Sequence, residues 1–242
     1  MYAIQTTGLT KRYKALIAVD RLNLDVRQGE LFALLGVNGA GKTTTIKMLT
    51  GLTAPTDGDA LVGGYSVTRQ AQPMRRHIGV SPQETAVAPH LSVRENLELM
   101  GGIHGFSKEQ TARRITELSR TFELDTVLHR KAGQLSGGWQ RRVSIAMALV
   151  SEPSILFLDE PTLGLDVLAR HALWDVIRAL KGNTTIILTT HYMEEAQALS
   201  DRIGILKDGR LVAVGTAEEL KAAAGTDDFE TAFVTLVKEG TV

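Results

Sequence analysis

Gly36-Val37-Asn38-Gly39-Ala40-Gly41-Lys42-Thr43 matches Gly-x-x-x-x-Gly-Lys-[Ser/Thr] at every fixed position. An apolar run, Leu31 to Leu35, precedes it, and a helical pattern opens at Lys42. Glycines let the backbone wrap close to phosphate oxygens, and the exposed N–H groups at a helix start make a nest for anions. The Lys42 ammonium suits the β- and γ-phosphates of a nucleotide, and the Thr43 hydroxyl suits Mg²⁺. A structural glycine turn is the plainer account, but the full spacing between strand and helix sets it aside. The segment from Gly36 through Thr44 is therefore expected to bind a triphosphate.

A chain that grips Mg²⁺ and phosphate needs a carboxylate for the metal, and Ile155-Leu156-Phe157-Leu158-Asp159-Glu160 supplies a candidate. Four apolar residues end in two acids, as expected of a buried parallel strand whose C-terminal end faces the ligand crevice. Asp159 suits Mg²⁺ through water, and Glu160 suits the general base that polarises an attacking water.

Around these segments the pattern alternates. Ile4 to Leu9, Leu22 to Val26 and Ala60 to Val62 read as short strands. From about Glu84 to Val150 helices take over, two of them opened by the capping boxes Ser92-Val93-Arg94-Glu95 and Ser107-Lys108-Glu109-Gln110. From Ile155 strand and helix alternate again: Ile155 to Leu158, a helix near Val167 to Lys181, and a strand from Thr184 to Thr190. A short amphipathic helix is expected over Asp228 to Lys238. Strands alternating with helices argue for an α/β fold with a mostly parallel sheet covered on both faces. Residues 1–83 and 151–242 would form the core, and 84–150 a helical insertion.

Bulk properties narrow the function. Lys plus Arg and Asp plus Glu both number 27, so there is no basic excess of the kind phosphate-binding proteins of nucleic acid carry. Absence of cysteine rules out a disulfide framework and thiolate metal sites. No secretory leader is expected from Met1-Tyr2-Ala3-Ile4-Gln5, and no apolar run approaches the roughly 20 residues of a spanning helix. Histidines 77, 90, 104, 129 and 171 lack metal-ligand spacing and read as structural. The pairs Arg75-Arg76 and Arg141-Arg142 read as solvated faces.

Leu135-Ser136-Gly137-Gly138-Trp139-Gln140-Arg141-Arg142 decides among phosphate-binding families. Ser136 suits a helix N-cap, and the paired glycines clear space for an anion over the helix start. This segment resembles the signature motif of ATP-binding cassette (ABC) proteins, in that family's order before the Ile155 strand. The resemblance covers essentially the whole chain and implies a P-loop NTPase core, an N-terminal antiparallel β subdomain and an inserted helical subdomain. It also implies further roles: Gln83 as the glutamine that contacts Mg²⁺ and opens the helical part, Asp166 in the D-loop Pro161-Thr162-Leu163-Gly164-Leu165-Asp166, and His191 as the switch histidine at the γ-phosphate. Tyr13 sits where an aromatic stacks on adenine. Trp139 departs from the family's usual Gln, Glu or Met; it either adds apolar surface at a dimer contact or packs inward.

By the same resemblance the P-loop of one copy faces Ser136, Gly137 and Gly138 of another, in a head-to-tail dimer with ATP between. The segments Gly51 to Gly58, His191 to Ala196 and Asp228 to Phe233 resemble the exporter branch for drugs, lipids or polysaccharides, in which a separate integral membrane permease is the partner. Such a subunit would sit in the cytoplasm, peripheral to the plasma membrane. The competing readings are an ABC ATPase acting on ribosomes or nucleic acid, the same cassette serving an importer, and a metabolic kinase.

Overall fold

The computed structural model describes residues 1–240. The strands are β1 (Tyr2–Tyr13), β2 (Leu16–Leu22), β3 (Asp25–Arg27), β4 (Leu31–Leu35), β5 (Asp57–Val62), β6 (Tyr65–Ser66), β7 (Ile78–Ser81), β8 (Ile155–Asp159), β9 (Thr185–Thr190), β10 (Arg202–Lys207) and β11 (Arg210–Gly215). The helices are α1 (Lys42–Leu49), α2 (Ala71–Met74), α3 (Val93–Ile103), α4 (Lys108–Phe122), α5 (Gly137–Ala148), α6 (Val167–Leu180), α7 (Met193–Leu199), α8 (Ala217–Ala223) and α9 (Phe229–Glu239). Both expected capping boxes form, and a third closes on Thr216 and Glu219 at the start of α8.

Among the described residues the strands make two sheets. One runs β11-β10-β4-β9-β8-β7, parallel except for the edge strand β11. The other is antiparallel, ordered β2-β1-β5-β6, with β3 also on β1. The expected strand over Leu22 to Val26 is in fact a break. Leu22 pairs with Leu9 and Asp25 with Gln5, and between them the Leu24 amide donates to Thr6 Oγ1 at 2.8 Å. A polar side chain on β1 captures the backbone there, so the chain steps from one half of β1 to the other.

The central strand β4 explains the layering. All five of its residues are buried, because a parallel strand inside the sheet has no solvent face. Successive side chains alternate between faces. Phe32 and Leu34 enter a core shared with α1 and the antiparallel sheet, through Ile46, Leu49, Ile4 and Val62. Ala33 and Leu35 pack with Ile203, Ile205, Leu220 and Phe233 against the C-terminal helices. On that same face Leu31, Leu156, Leu158 and Leu188 meet Leu97, Ile115 and Phe122 of the helical segment. Helix α5 joins the segment to the sheet: Val143, Ile145 and Ala146 lie in the shared core.

Gly79 on β7 is where α5 comes closest. A Cβ there would stand 2.3 Å from the Ala148 carbonyl oxygen and 3.0 Å from Pro153 Cγ. Gly79→Ala is expected to cost about 2 kcal/mol or more through overpacking, read as a lower urea midpoint at unchanged slope. A wild-type midpoint would show that α5 is not held tightly on β7.

Candidate functional site

The phosphate-type loop leaves β4 at the middle of the sheet. Gly36 is forced to be glycine by space: a Cβ would lie 2.5 Å from the Leu206 carbonyl oxygen. Gly41 is forced twice, by a φ of 104° and by a Cβ that would stand 2.5 Å from the Ala18 carbonyl. Gly41 also occupies the N-cap of α1, with no side chain to cap it and no acid in the first turn. The first-turn amides therefore have no intrahelical acceptor and carry the positive end of the helix dipole.

Lys42 turns back over this loop. Its Nζ donates to the Gly36 carbonyl at 2.7 Å and to that of Val37 at 3.3 Å, and lies 3.1 Å from Glu160 Oε1. Both side chains of this ion pair are more than nine-tenths covered. Glu160 Oε2 in turn meets His191 Nδ1 at 2.6 Å. A carboxylate oxygen can only accept, so Nδ1 is the donor in this contact. Glu160 adopts φ 50°, a left-handed conformation that costs a non-glycine residue about 1 kcal/mol or more. Its amide donates to the Thr189 carbonyl at 3.1 Å. Strand β9 thus holds the strained turn that brings Glu160 toward Lys42 and His191.

Asp159, one residue earlier, lies beneath. Its Oδ1 accepts from Thr43 Oγ1 at 3.2 Å and from Thr189 Oγ1 at 2.5 Å. A hydroxyl beside a carboxylate with no ammonium or guanidinium bound to it is an all-oxygen donor set of the kind a Mg²⁺ ion takes, with waters completing its shell. The residues present fit that ion.

A cleft of about 550 Å³ opens over these groups, lined by Tyr13, Asn38 to Thr44, Gln83, Glu160 and His191. Leu16, Ile17, Ala18 and Leu163 complete the lining. Tyr13 stands 44% exposed at the rim with Lys11 Nζ 5.1 Å from its ring. Of the expected set, Gly36, Val37, Asp159, Asp166 and Ser136 to Gly138 do not line it. Asp166 caps α6, accepting from the Ala169 amide at 2.9 Å. Ser136 takes the N-cap position of α5, but its exposed hydroxyl makes no capping bond, contrary to the capping role expected of it. Trp139 packs inward on the helical core, half-buried, with the Arg142 guanidinium 5.0 Å from its ring.

The reading of Arg141-Arg142 as a solvated face is wrong for both: the Arg142 side chain is mostly covered and pairs with Glu123 Oε2 at 2.7 Å, and Arg141 lies deeper still. That side chain is buried and donates to the carbonyl of Pro82 at 2.6 Å and to that of Gln83. Burial holds its guanidinium below the usual range, against the opposing charges of Asp159 and Glu195. Ser81 and Ser144 hydroxyls, 3.0 Å apart, add a second link between α5 and the loop that carries Gln83. Pattern reading missed this because α5 is covered on more than one side, so a buried Arg breaks no apolar stripe.

Glu195 was also overlooked. It is fully buried on the first turn of α7, and its Oε1 accepts from Trp174 Nε1 at 3.1 Å. Burial pushes its carboxyl up; the hydroxyls of Thr190 and Thr162 and the Trp174 N–H oppose the rise, and the charge of Glu160 adds to it. The residues alone carry little signal here, because Glu195 follows another acid, Glu194, that is exposed.

A family model described as "ABC transporter" matches residues 19–163. The daunorubicin/doxorubicin resistance ATP-binding protein DrrA of Streptomyces peucetius is 44% identical over 226 residues, which span 93% of this chain and 68% of the relative. Among solved structures, an ATP-binding subunit of an ABC transporter superposes with a TM-score of 0.86 at 32% identity, covering 97% of this chain and 99% of the other. The ATP-binding cassette MJ0796, a dimer in a post-hydrolysis state bound to ADP and Pi, gives 0.79 at 29% identity, covering 88% and 98%.

The raised carboxyl of Glu195 has a signed consequence. The folded chain keeps the proton above the ordinary glutamate value of 4.5, so stability falls as pH rises from there through the folded-state value. Glu195→Gln removes the titration. Its melting temperature should gain on wild type as pH climbs through that window, and a difference independent of pH would contradict the assignment.

Proposed function

Since the chain belongs to the ABC transporter family, we propose that it is the ATP-hydrolysing subunit of an exporter whose permease is a separate chain. The observation that carries this reading is the convergence of Lys42, Glu160 and His191 in one cleft at the start of α1. Lys42 and the first-turn amides neutralise the triphosphate, while Tyr13 offers an aromatic face at the rim for the base. Thr43 and Asp159 would hold Mg²⁺, with Gln83 at the cleft edge; the ion supplies charge neutralisation between the phosphates. Glu160 takes the proton of the attacking water, and His191 orients that carboxylate through Nδ1 while Nε2 remains available to the terminal phosphate.

In one copy the cleft has no contact with the signature segment, and Ser136 and Gly137 stand exposed with amides at the start of α5. A second copy placed head to tail would bring that segment to the open side of the nucleotide, giving two helix starts for one polyanion. The dimeric cassette of similar fold supports this arrangement. Export is supported by the drug-resistance relative. No described helix is long and apolar enough to cross a membrane, which agrees with transport through a partner. The permease would take its signal from the helical segment 84–150, moved through Gln83.

Lys42→Ala should reduce ATP consumption at least about a hundredfold. Glu160→Gln should slow turnover by about 10²–10⁴ yet retain ATP and accumulate a dimer on size exclusion. Hydrolysis indifferent to Lys42→Ala would sink the reading of the site, and a Glu160→Gln protein that stays monomeric with ATP would sink the sandwich.

A further inference from the structure

We propose that Thr189 is a positioning residue for hydrolysis: its single hydroxyl bridges Asp159 and Glu160, and so sets the directions in which the two neighbouring carboxylates point. This rests on the roles given above to Asp159 and Glu160. Strands β8 and β9 run parallel, with Asp159 paired to Thr189. From that position the fully buried Thr189 side chain reaches both acids. Its Oγ1 donates to Asp159 Oδ1 at 2.5 Å and accepts from the Glu160 amide at 3.1 Å. A hydroxyl has one hydrogen, so the bridge has a fixed sense, from the Glu160 N–H through Thr189 Oγ1 to Asp159. Each bond polarises the other in a site shielded from water.

The two ends of the bridge each remove a freedom. The carboxyl of an aspartate turns about a soft, roughly two-fold torsion, so its hydrogen bonds decide which oxygen faces where. Among the described residues both hydrogen bonds to the Asp159 side chain fall on Oδ1, from Thr43 at 3.2 Å and from Thr189 at the shorter distance. At Glu160 the freedom belongs to the backbone. Its φ of 50° is left-handed, a conformation that a non-glycine residue keeps only when its surroundings hold it. The Glu160 amide has two acceptors, the carbonyl and the hydroxyl of Thr189, each at 3.1 Å. Any residue at 189 would present that carbonyl; the hydroxyl is what threonine adds. Valine would match its shape in a buried strand with no polar atom to satisfy. Ile186, Ile187 and Leu188, the residues of β9 just before it, are buried and apolar. The hydroxyl enters where the strand reaches the acids. With it in place Glu160 leaves β8 toward Lys42 and His191, while Asp159 stays beside Thr43.

The test uses the full chain and compares Thr189→Val, which keeps the shape and loses the hydroxyl, with Thr189→Ser, which keeps the hydroxyl and loses the methyl. Thr189→Val should lower kcat about tenfold or more through misdirected carboxylates, with KM for ATP unchanged because the phosphate loop lies on other elements. Thr189→Ser should stay near wild type. In ¹⁵N-glutamate spectra of the nucleotide-free protein the Glu160 amide signal, assigned by its loss in Glu160→Gln, should shift in Thr189→Val and hold in Thr189→Ser. If Thr189→Val folds poorly, Thr189→Cys, whose thiol is a weak donor and acceptor, carries the same expectations in smaller measure. A wild-type kcat in Thr189→Val, equal losses in Thr189→Val and Thr189→Ser, or a Glu160 amide unmoved by Thr189→Val overturns the proposal while leaving the site reading intact. Should wild type itself fail to hydrolyse ATP, the site reading falls, and the Glu160 amide still decides whether the hydroxyl holds the turn.

Discussion

Everything in this molecule is arranged around one buried ion pair, the Lys42 ammonium against the Glu160 carboxylate. A pair so covered is expensive unless each partner is further satisfied. Lys42 is satisfied by the carbonyls of Gly36 and Val37, and Glu160 by His191. Those partners come from β4, β8 and β9 or the turns just beyond them, so the parallel sheet must be in register before the pair can exist. The arrangement is self-contained without ligand. A polyanion entering the cleft would compete with Glu160 for Lys42.

The second constraint is the division of labour between the faces of the sheet. One face is shared by α1 and the antiparallel sheet, which carry the phosphate loop and Tyr13. The other carries the helical segment through α5. Gln83 emerges at the end of the edge strand β7, and Arg141 reaches it from α5. The nucleotide cleft and the exposed signature segment are therefore linked by side chains packed under the surface.

Much of this was legible in the residues alone. The spacing of Gly36, Gly41, Lys42 and Thr43 requires a specific turn, and the coordinates give the steric reason for both glycines. The two capping boxes fixed the starts of α3 and α4 because they are local chemistry, complete within four residues. Strands β7, β10 and β11 escaped notice, as short strands with a glycine in them have no periodicity to betray them. The break at Asn23 and Leu24 depends on Thr6, far away in sequence. Arg141 and Glu195 were missed for one reason: a charged side chain reads as solvent-facing until the partners that cover it are known. The placement of Asp159 and Glu160 at a strand end was readable from the residues, whereas the left-handed turn that separates their directions was not.

The clamp of Arg141 on the carbonyls of Pro82 and Gln83 bears on how relatives of this chain could be recombined. A seam cut at residue 84 would sever the helical unit from two peptide groups that its own arginine grips. Mechanically those peptides travel with α5, so a graft of the helical unit should take Pro82 and Gln83 along and be joined within β7, where backbone bonds to β8 set the register. A chimera built at the obvious boundary would mate a foreign guanidinium with a native loop, and the packing of α5 on that loop would rest on whether those strangers happen to fit.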